Sequence, residues 1–207
     1  MAILYDEVRR IFHLQTPGTS YVIGLVKDGA APVHLYWGRK IRPGAEERLL
    51  RRGWRHAPAP FPGDNTLSYD WLPLEYPGYG TGDFRHPAYE AQLDDGTTAV
   101  ELIYDSHRIL RGKPPLEGLP AVYVESDDEA ETLELVLVNR YSGLKAVLSY
   151  TVFARHDAIA RSVRFVHEGD RPIRLLRALS ASVDLPGSRY DWLHLSGAWL
   201  RERMIER

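Results

Sequence analysis

The sequence has no cysteine among its 207 residues. This absence excludes disulfide bonds and thiol catalysis, and it is compatible with a reducing compartment. Long apolar runs are also missing, since none approaches the ~20 residues of a membrane-spanning helix. The first ten residues, MAILYDEVRR, include acidic side chains and lack the apolar core of a signal peptide. We therefore expect a cytoplasmic protein that has no membrane partner.

The sequence also lacks an excess of positive or negative charge. The formal net charge at pH 7 is −2, and no cluster of Lys and Arg is interleaved with aromatic residues as a nucleic-acid groove requires. A basic stretch at 42–55 is short and is typical of a solvated face or an interface. We expect no nucleic-acid partner.

The usual signatures of catalytic and cofactor sites are missing. The eight histidines show no i,i+4 or HxH spacing, so no metal-ligand cluster lies on a single element. A GxSxG nucleophile motif is absent. The glycines at 78, 80 and 82 follow Pro77 and lead into GDFRHP, which cannot open a helix, so a phosphate-binding loop is not expected. We predict no metal and no cofactor.

Alternation of apolar and polar residues dominates the sequence, and this pattern is typical of strands that bury one face. In the segment 131–139, Leu133, Leu135 and Leu137 fall on one face. Helical periodicity is weak and is confined to a turn or two at 45–52. The predicted strands are 20–26, 33–38, 97–103, 131–139, 144–154, 158–167, 173–184 and 190–196.

Short strands with turn signals at roughly ten-residue spacing predict an all-β fold, a large antiparallel β-sandwich, rather than a parallel α/β fold. The length fits one domain that covers residues 1–207. The last residues, GAWLRERMIER, alternate like a strand and show no turn, cap or polar tail. We therefore expect the sandwich to be incomplete at its C-terminal end.

Residues 51–90 break the alternation and contain six prolines, five glycines and eight aromatic residues. An irregular stretch of this length is uncommon in a compact domain and is usually functional when ordered. Proline and glycine fix its path, and Tyr, Trp and Phe supply stacking faces with polar tips. Two interpretations stay open: a polar-aromatic surface shaped for a sugar, or a loop that packs its aromatic side chains on its own scaffold.

The candidate functional groups of this loop are its carboxylates, Asp64, Asp70, Glu75 and Asp83. Two facing carboxylates could perform glycosidic acid–base chemistry, but carboxylates also accept hydrogen bonds from sugar hydroxyls, and we favour that second role. Asp83, Phe84 and Arg85 offer an acceptor, an apolar face and a five-donor fork in consecutive positions. An Asp83–Arg85 ion pair that pins the loop is an equal alternative.

Several motifs in this loop and beyond it form a specific, co-linear set that covers essentially the whole chain. They are LYWG at 35–38, EYP at 75–77, GTGDFRHP at 80–87, YDSHRI at 104–109, GKP at 112–114, LEGLP at 116–120, NRY at 139–141 and GAWLRER at 197–203. In this order they resemble the N-terminal region of the family 36 glycoside hydrolases, the large bacterial α-galactosidases.

The resemblance implies a large β-sandwich that precedes a catalytic (β/α)₈ barrel. Both catalytic aspartates would belong to that barrel, whose motifs do not occur in these 207 residues, so no catalytic residue is expected here. The implied reaction is hydrolysis of terminal α-galactosides of the raffinose and melibiose type, with retention through a covalent galactosyl-enzyme.

The resemblance also implies a homotetramer in which the loop completes the active site of a neighbouring subunit. A rigid loop that closes a pocket helps to exclude water and to orient a small sugar. The predicted substrate-binding residues are Asp64, Tyr76, Asp83, Phe84 and Arg85.

Two interpretations from other classes stay open. A stand-alone carbohydrate-binding β-sandwich would be a soluble monomer that holds galactosides on the irregular stretch 51–90 and does not hydrolyse them. A structural or oligomerisation domain would self-associate and would not bind galactosides.

Overall fold

The structure, a computed structural model, describes residues 2–26, 30–44, 46–53, 64–80, 82–118, 121–185 and 187–207. In these residues the regular structure is antiparallel β, apart from two short 3-10 turns at Glu46–Leu49 and Asp127–Glu129. No helix in this part of the chain has the length and hydrophobicity that crossing a membrane requires. The strands are β1 (Ile3–Asp6), β2 (Ile11–Gln15), β3 (Thr19–Val26), β4 (Ala31–Arg39), β5 (Tyr89–Gln92), β6 (Ile103–Arg111), β7 (Ala130–Asn139), β8 (Leu144–Phe153), β9 (Ile159–His167), β10 (Arg174–Ala178), β11 (His194–Ala198) and β12 (Arg201–Glu206).

Two four-stranded sheets form the body of the sandwich, and both follow sequence order. The first sheet is β1-β2-β3-β4 and the second is β6-β7-β8-β9. Every neighbouring pair is antiparallel, and all of them except β6–β7, which residues 112–129 connect, are joined by short turns. The predicted antiparallel β-sandwich is therefore confirmed.

The main core lies between these two sheets. Leu133, Leu135 and Leu137 of β7 are all buried, as the alternation predicts, because successive side chains of a strand point to opposite faces. They share one hydrophobic cluster with Phe12 of β2 and Ile23 of β3. Burying each such side chain stabilises the fold by ~1.5–3 kcal/mol.

Two smaller antiparallel sheets flank the body of the sandwich. One pairs β5 with β10, and the other pairs β11 with β12. The β11–β12 hairpin leaves large apolar side chains exposed, among them Leu195, Trp199 and Ile205. The alternation seen at the end of the sequence therefore belongs to the second strand of a hairpin.

Most of the predicted strands are confirmed, and the differences have local causes. The strand predicted at 97–103 begins only at Ile103, because the Leu102 N–H and the Val100 carbonyl bond to the Tyr89 hydroxyl instead of to a neighbouring strand. The strand predicted at 173–184 shortens to β10, since its partner β5 has only four residues. Strands β1, β2 and β5 were not predicted from the sequence, β11 begins a few residues later than predicted, and a 3-10 turn forms where a helix was predicted.

Candidate functional site

The candidate site is the aromatic loop, defined here as residues 64–88; residues 54–63 and Thr81 of the predicted loop lie outside the described residues. Leu67, Tyr69 and Leu72 pack in a second hydrophobic cluster with Val33 of β4, separate from the main core. An antiparallel bridge joins Leu74 to Val33. Part of the loop thus packs on its own scaffold, which gives the remainder a fixed position.

Glu75 fastens the middle of the aromatic loop to both sheets. Its carboxylate is 0% exposed and accepts hydrogen bonds from the Tyr21 hydroxyl (2.7 Å), the Tyr150 hydroxyl (2.6 Å) and Arg161 Nη1 (2.8 Å). Burial alone would raise the pKa of Glu75, but His34, the Arg161 charge and the Tyr150 hydroxyl together lower it below its usual value. Glu75 is therefore a buried anion that holds the loop, and it is not placed to act on a ligand.

Arg161 completes this arrangement from β9. Its second Nη donates to the Glu75 carbonyl at 3.1 Å, and its guanidinium carbon lies 4.6 Å from the centroid of the Tyr150 ring. Cation–π contact and charge-assisted hydrogen bonds both favour this geometry. The sequence carried a signal for it, because Arg161 is a charged residue in an otherwise apolar inward series with Val163 and Phe165. That signal was missed.

Tyr76, a predicted substrate-binding residue, lies beneath the loop. Its ring is buried and stacks on Tyr89, with centroids 5.5 Å apart and an angle of 12° between the planes. Its hydroxyl donates to the Leu179 carbonyl at 2.7 Å, and burial raises its pKa to about 12. In this position Tyr76 supports the end of the loop.

Asp83 and Arg85, two further predicted substrate-binding residues, form the ion pair that was one of the two alternatives for them. Arg85 donates through Nε at 2.9 Å and through Nη2 at 2.7 Å to the two carboxylate oxygens of Asp83, which is 2% exposed. The same Nη2 donates to the Leu72 carbonyl at 2.6 Å, and Nη1 lies 3.5 Å from Asp184. The hydrogen bond to Asp83 raises the pKa of Arg85. This bidentate pair pins the chain on either side of Phe84.

Phe84 projects from the pinned turn into solvent and is 66% exposed. Its ring meets that of Tyr79 edge to face, with centroids 5.6 Å apart. Together with Arg85, His86 and Arg177 these two rings line a shallow depression of about 300 Å³. The loop therefore presents an aromatic surface next to charged groups, and Tyr79 is a member that the sequence analysis did not single out.

Asp64 lies at the other end of the aromatic loop. It accepts hydrogen bonds from the Thr66 backbone at 2.8 Å and from Arg52 at 3.0 Å. The Thr66 bonds, with a smaller contribution from Arg52, lower its pKa. Asp64 thus bonds to partners other than the directly joined Asp83 and Arg85.

Among the residues that the structure describes, no group of three or more His, Cys, Asp or Glu side chains could hold a metal ion.

The fold and the aromatic loop define a β-sandwich domain whose anchored loop presents aromatic and charged side chains, a chemistry that suits sugars. The model of the glycosyl hydrolase family 36 N-terminal domain matches residues 30–207. The chain therefore belongs to the N-terminal domain family of the family 36 glycoside hydrolases, and the resemblance found in the sequence is confirmed.

Individual relatives agree with this assignment. Alpha-galactosidase AgaA of Geobacillus stearothermophilus is 48% identical over 208 residues, which is 100% of this chain and 28% of AgaA. The crystal structure of AgaB from the same organism matches with a TM-score of 0.90 at 48% identity, over 100% of this chain and 28% of that one. An AgaA variant in complex with raffinose matches with a TM-score of 0.86 at 48% identity, over 95% of this chain and 27% of that one. The chain thus spans little more than a quarter of the length of these relatives.

Proposed function

We propose that this chain is the N-terminal β-sandwich of an α-galactosidase that hydrolyses terminal α-galactosides of the raffinose and melibiose type. The family membership and the 48% identity to AgaA support this proposal. The raffinose complex of the AgaA variant supports the substrate class. Residues 1–207 form part of the sandwich, and the catalytic aspartates of a retaining mechanism belong to a (β/α)₈ barrel outside them.

The aromatic loop walls the substrate pocket in this proposal. One observation carries it: a bidentate hydrogen bond from the exposed Arg85 side chain to the buried Asp83 carboxylate holds the exposed Phe84 ring in place. A loop with a purely structural role would not need a solvent-facing phenyl ring on such a rigid support. Phe84 packs against the sugar and Arg85 and Asp64 reach its hydroxyls, whereas Asp83 and Tyr76 act by positioning them.

The intact protein is a cytoplasmic homotetramer in this proposal, and the aromatic loop closes the pocket of a neighbouring subunit. A wall supplied by another subunit would limit the pocket to small oligosaccharides. The exposure of Phe84 and Tyr79 in the isolated chain supports such a contact, because both rings are free to meet a partner surface.

The test uses the complete gene product and raffinose hydrolysis. Phe84→Ala is expected to lower kcat/KM about tenfold, because an aromatic contact and its positioning effect are lost. Tyr141→Ala is the matched control, since Tyr141 is an exposed aromatic residue in the turn between β7 and β8, and it should leave the kinetics unchanged. Sedimentation of both variants shows whether the tetramer persists.

Three results would contradict parts of the proposal. Wild-type kinetics in Phe84→Ala with a lost tetramer would make the loop an interface only. Raffinose binding without release of galactose would favour the stand-alone carbohydrate-binding domain. Self-association with neither binding nor hydrolysis would favour the structural domain.

A further inference from the structure

A cleft of about 590 Å³ opens on the sandwich outside the aromatic loop. Its volume falls in the range of small-molecule sites, which combine apolar and aromatic walls with a few polar groups. Its apolar and aromatic walls come from Leu25, Ile103, Tyr5 and Tyr104, and its charged rim comes from Glu7, Arg10 and Arg140.

The two tyrosine rings of the cleft are held in fixed positions. Tyr5 stacks on Phe12 with centroids 4.4 Å apart and 20° between the planes, and it also packs on His107 at 4.4 Å. The Tyr104 hydroxyl lies 2.7 Å from His107 Nδ1. Burial lowers the pKa of His107, so its ring is neutral near pH 7 and shares this hydrogen bond without bringing a charge to the cleft. Both rings are half-buried and are ready for contact without reorganisation.

Positive and negative side chains are present in equal number around the rim of the cleft. Arg10 and Arg140 are countered by Glu7 and by Asp105, whose carboxylate lies 3.6 Å from the Arg140 guanidinium. The cleft thus has two guanidinium groups and two carboxylates at or next to its rim, and this balance favours a neutral ligand over an anion or a nucleic acid. Guanidinium donors and carboxylate acceptors suit a ligand that carries many hydroxyl groups.

We propose that this cleft is a second saccharide-binding site, which takes a neutral di- or trisaccharide. The apolar face of a pyranose ring packs on Tyr104 and on the Leu25–Ile103 floor, and the hydroxyls bond to Glu7 and Arg140. The site shares no residue with the aromatic loop, and it does not depend on the hydrolytic function proposed above.

The test is isothermal titration calorimetry of the complete gene product with raffinose. 1-Deoxygalactonojirimycin, a ligand bound in one AgaA structure, is added at saturating concentration to fill the proposed active site, so that the remaining raffinose binding reports on the cleft. Arg140→Ala is expected to weaken this remaining binding about tenfold, because charge-assisted hydrogen bonds are lost. Tyr104→Ala should weaken it similarly.

Arg171→Ala is the matched control. The two arginines resemble each other. The Arg171 side chain is 70% exposed and lies 3.6 Å from Asp94, and the Arg140 side chain is 74% exposed and lies 3.6 Å from Asp105. The control should bind raffinose like the wild type. Absence of any raffinose binding in the inhibited wild type, or equal binding by Arg140→Ala and Arg171→Ala, would overturn the proposal. Galactose release in the absence of inhibitor is measured separately, so failure of the cleft is distinct from failure of the hydrolytic function.

Discussion

Glu75 and Arg161, which stand 86 residues apart in the sequence, form an ion pair of 2.8 Å in the interior of the protein. Glu75 belongs to the aromatic loop and Arg161 to the second sheet, so one contact fixes the loop relative to the sandwich. Since Tyr21 and Tyr150 donate to the same carboxylate oxygen, the loop position depends on both sheets at once.

Removing the positive charge of Arg161 should destabilise the folded protein. Arg161→Met leaves Glu75 as an uncompensated buried anion and is expected to lower the free energy of unfolding by about 3–5 kcal/mol. Arg164→Met is the control, because Arg164 lies on the same strand and is exposed, and it should change stability by less than about 0.5 kcal/mol. Urea denaturation measures both, and equal effects would show that the ion pair contributes no specific stability.

The lowered pKa of Glu75 predicts a dependence of stability on pH. In acid the Glu75 carboxylate binds fewer protons in the folded protein than in the unfolded chain. Its contribution to the free energy of unfolding is therefore fully present above the ordinary glutamate pKa of about 4.3, and it is lost as pH falls through the lower folded-state pKa. Because other carboxylates titrate in the same pH range, the test compares a Glu75 variant with the wild type. The stability of Glu75→Gln, followed by urea denaturation from about pH 6 to about pH 3, should fall less steeply than that of the wild type. Parallel curves would mean that Glu75 has an ordinary pKa in the folded protein.

The Asp83–Arg85 pair should behave as a unit. Arg85→Ala leaves a buried carboxylate without its bidentate partner and is expected to cost about 1–3 kcal/mol. The double change Asp83→Ala/Arg85→Ala should cost less than the sum of the two single changes, because it leaves neither charge unpaired. The exposed Asp6–Arg9 pair gives the reference cycle, and its coupling should be clearly weaker because solvent screens it. Additive effects at Asp83 and Arg85 would contradict the pinning role.

Gly143 in the turn between β7 and β8 should not tolerate a side chain. Its φ is +70°, and a Cβ atom would lie 2.5 Å from the Gly169 backbone nitrogen. Gly96 has a similar φ of +87°, but within the described part of the chain no atom other than those of its chain neighbours lies within 4 Å of its Cβ position. Gly96→Ala therefore measures backbone strain alone, about 1 kcal/mol, and Gly143→Ala should cost clearly more, about 2–4 kcal/mol. Thermal unfolding compares the two, and equal losses would show that the turn can move aside.

The sequence predicted the sandwich well because alternation directly reports which strand face is buried. Leu133, Leu135 and Leu137 show this, since their spacing alone placed them in the core. The short strand β5 escaped prediction because its four residues follow an irregular segment and acquire their pairing from distant β10.

The candidate site was harder to predict, because local sequence does not reveal which carboxylate is buried. Asp83 and Arg85 are two positions apart, so their pairing could be anticipated from the sequence. Glu75 instead depends on side chains 54, 75 and 86 residues away. Such partners become neighbours only when both sheets are assembled, and no local pattern encodes that.

The long sequence separations between Glu75 and its three bonding partners affect the order of events during folding. Closing long chain segments is entropically costly, so contacts of this kind form late. The loop that displays Phe84 is therefore completed only when both sheets have met. Under the proposed function, a partly folded chain would therefore lack the sugar-binding face of this loop, and sugar recognition by the loop would require that the domain has finished folding.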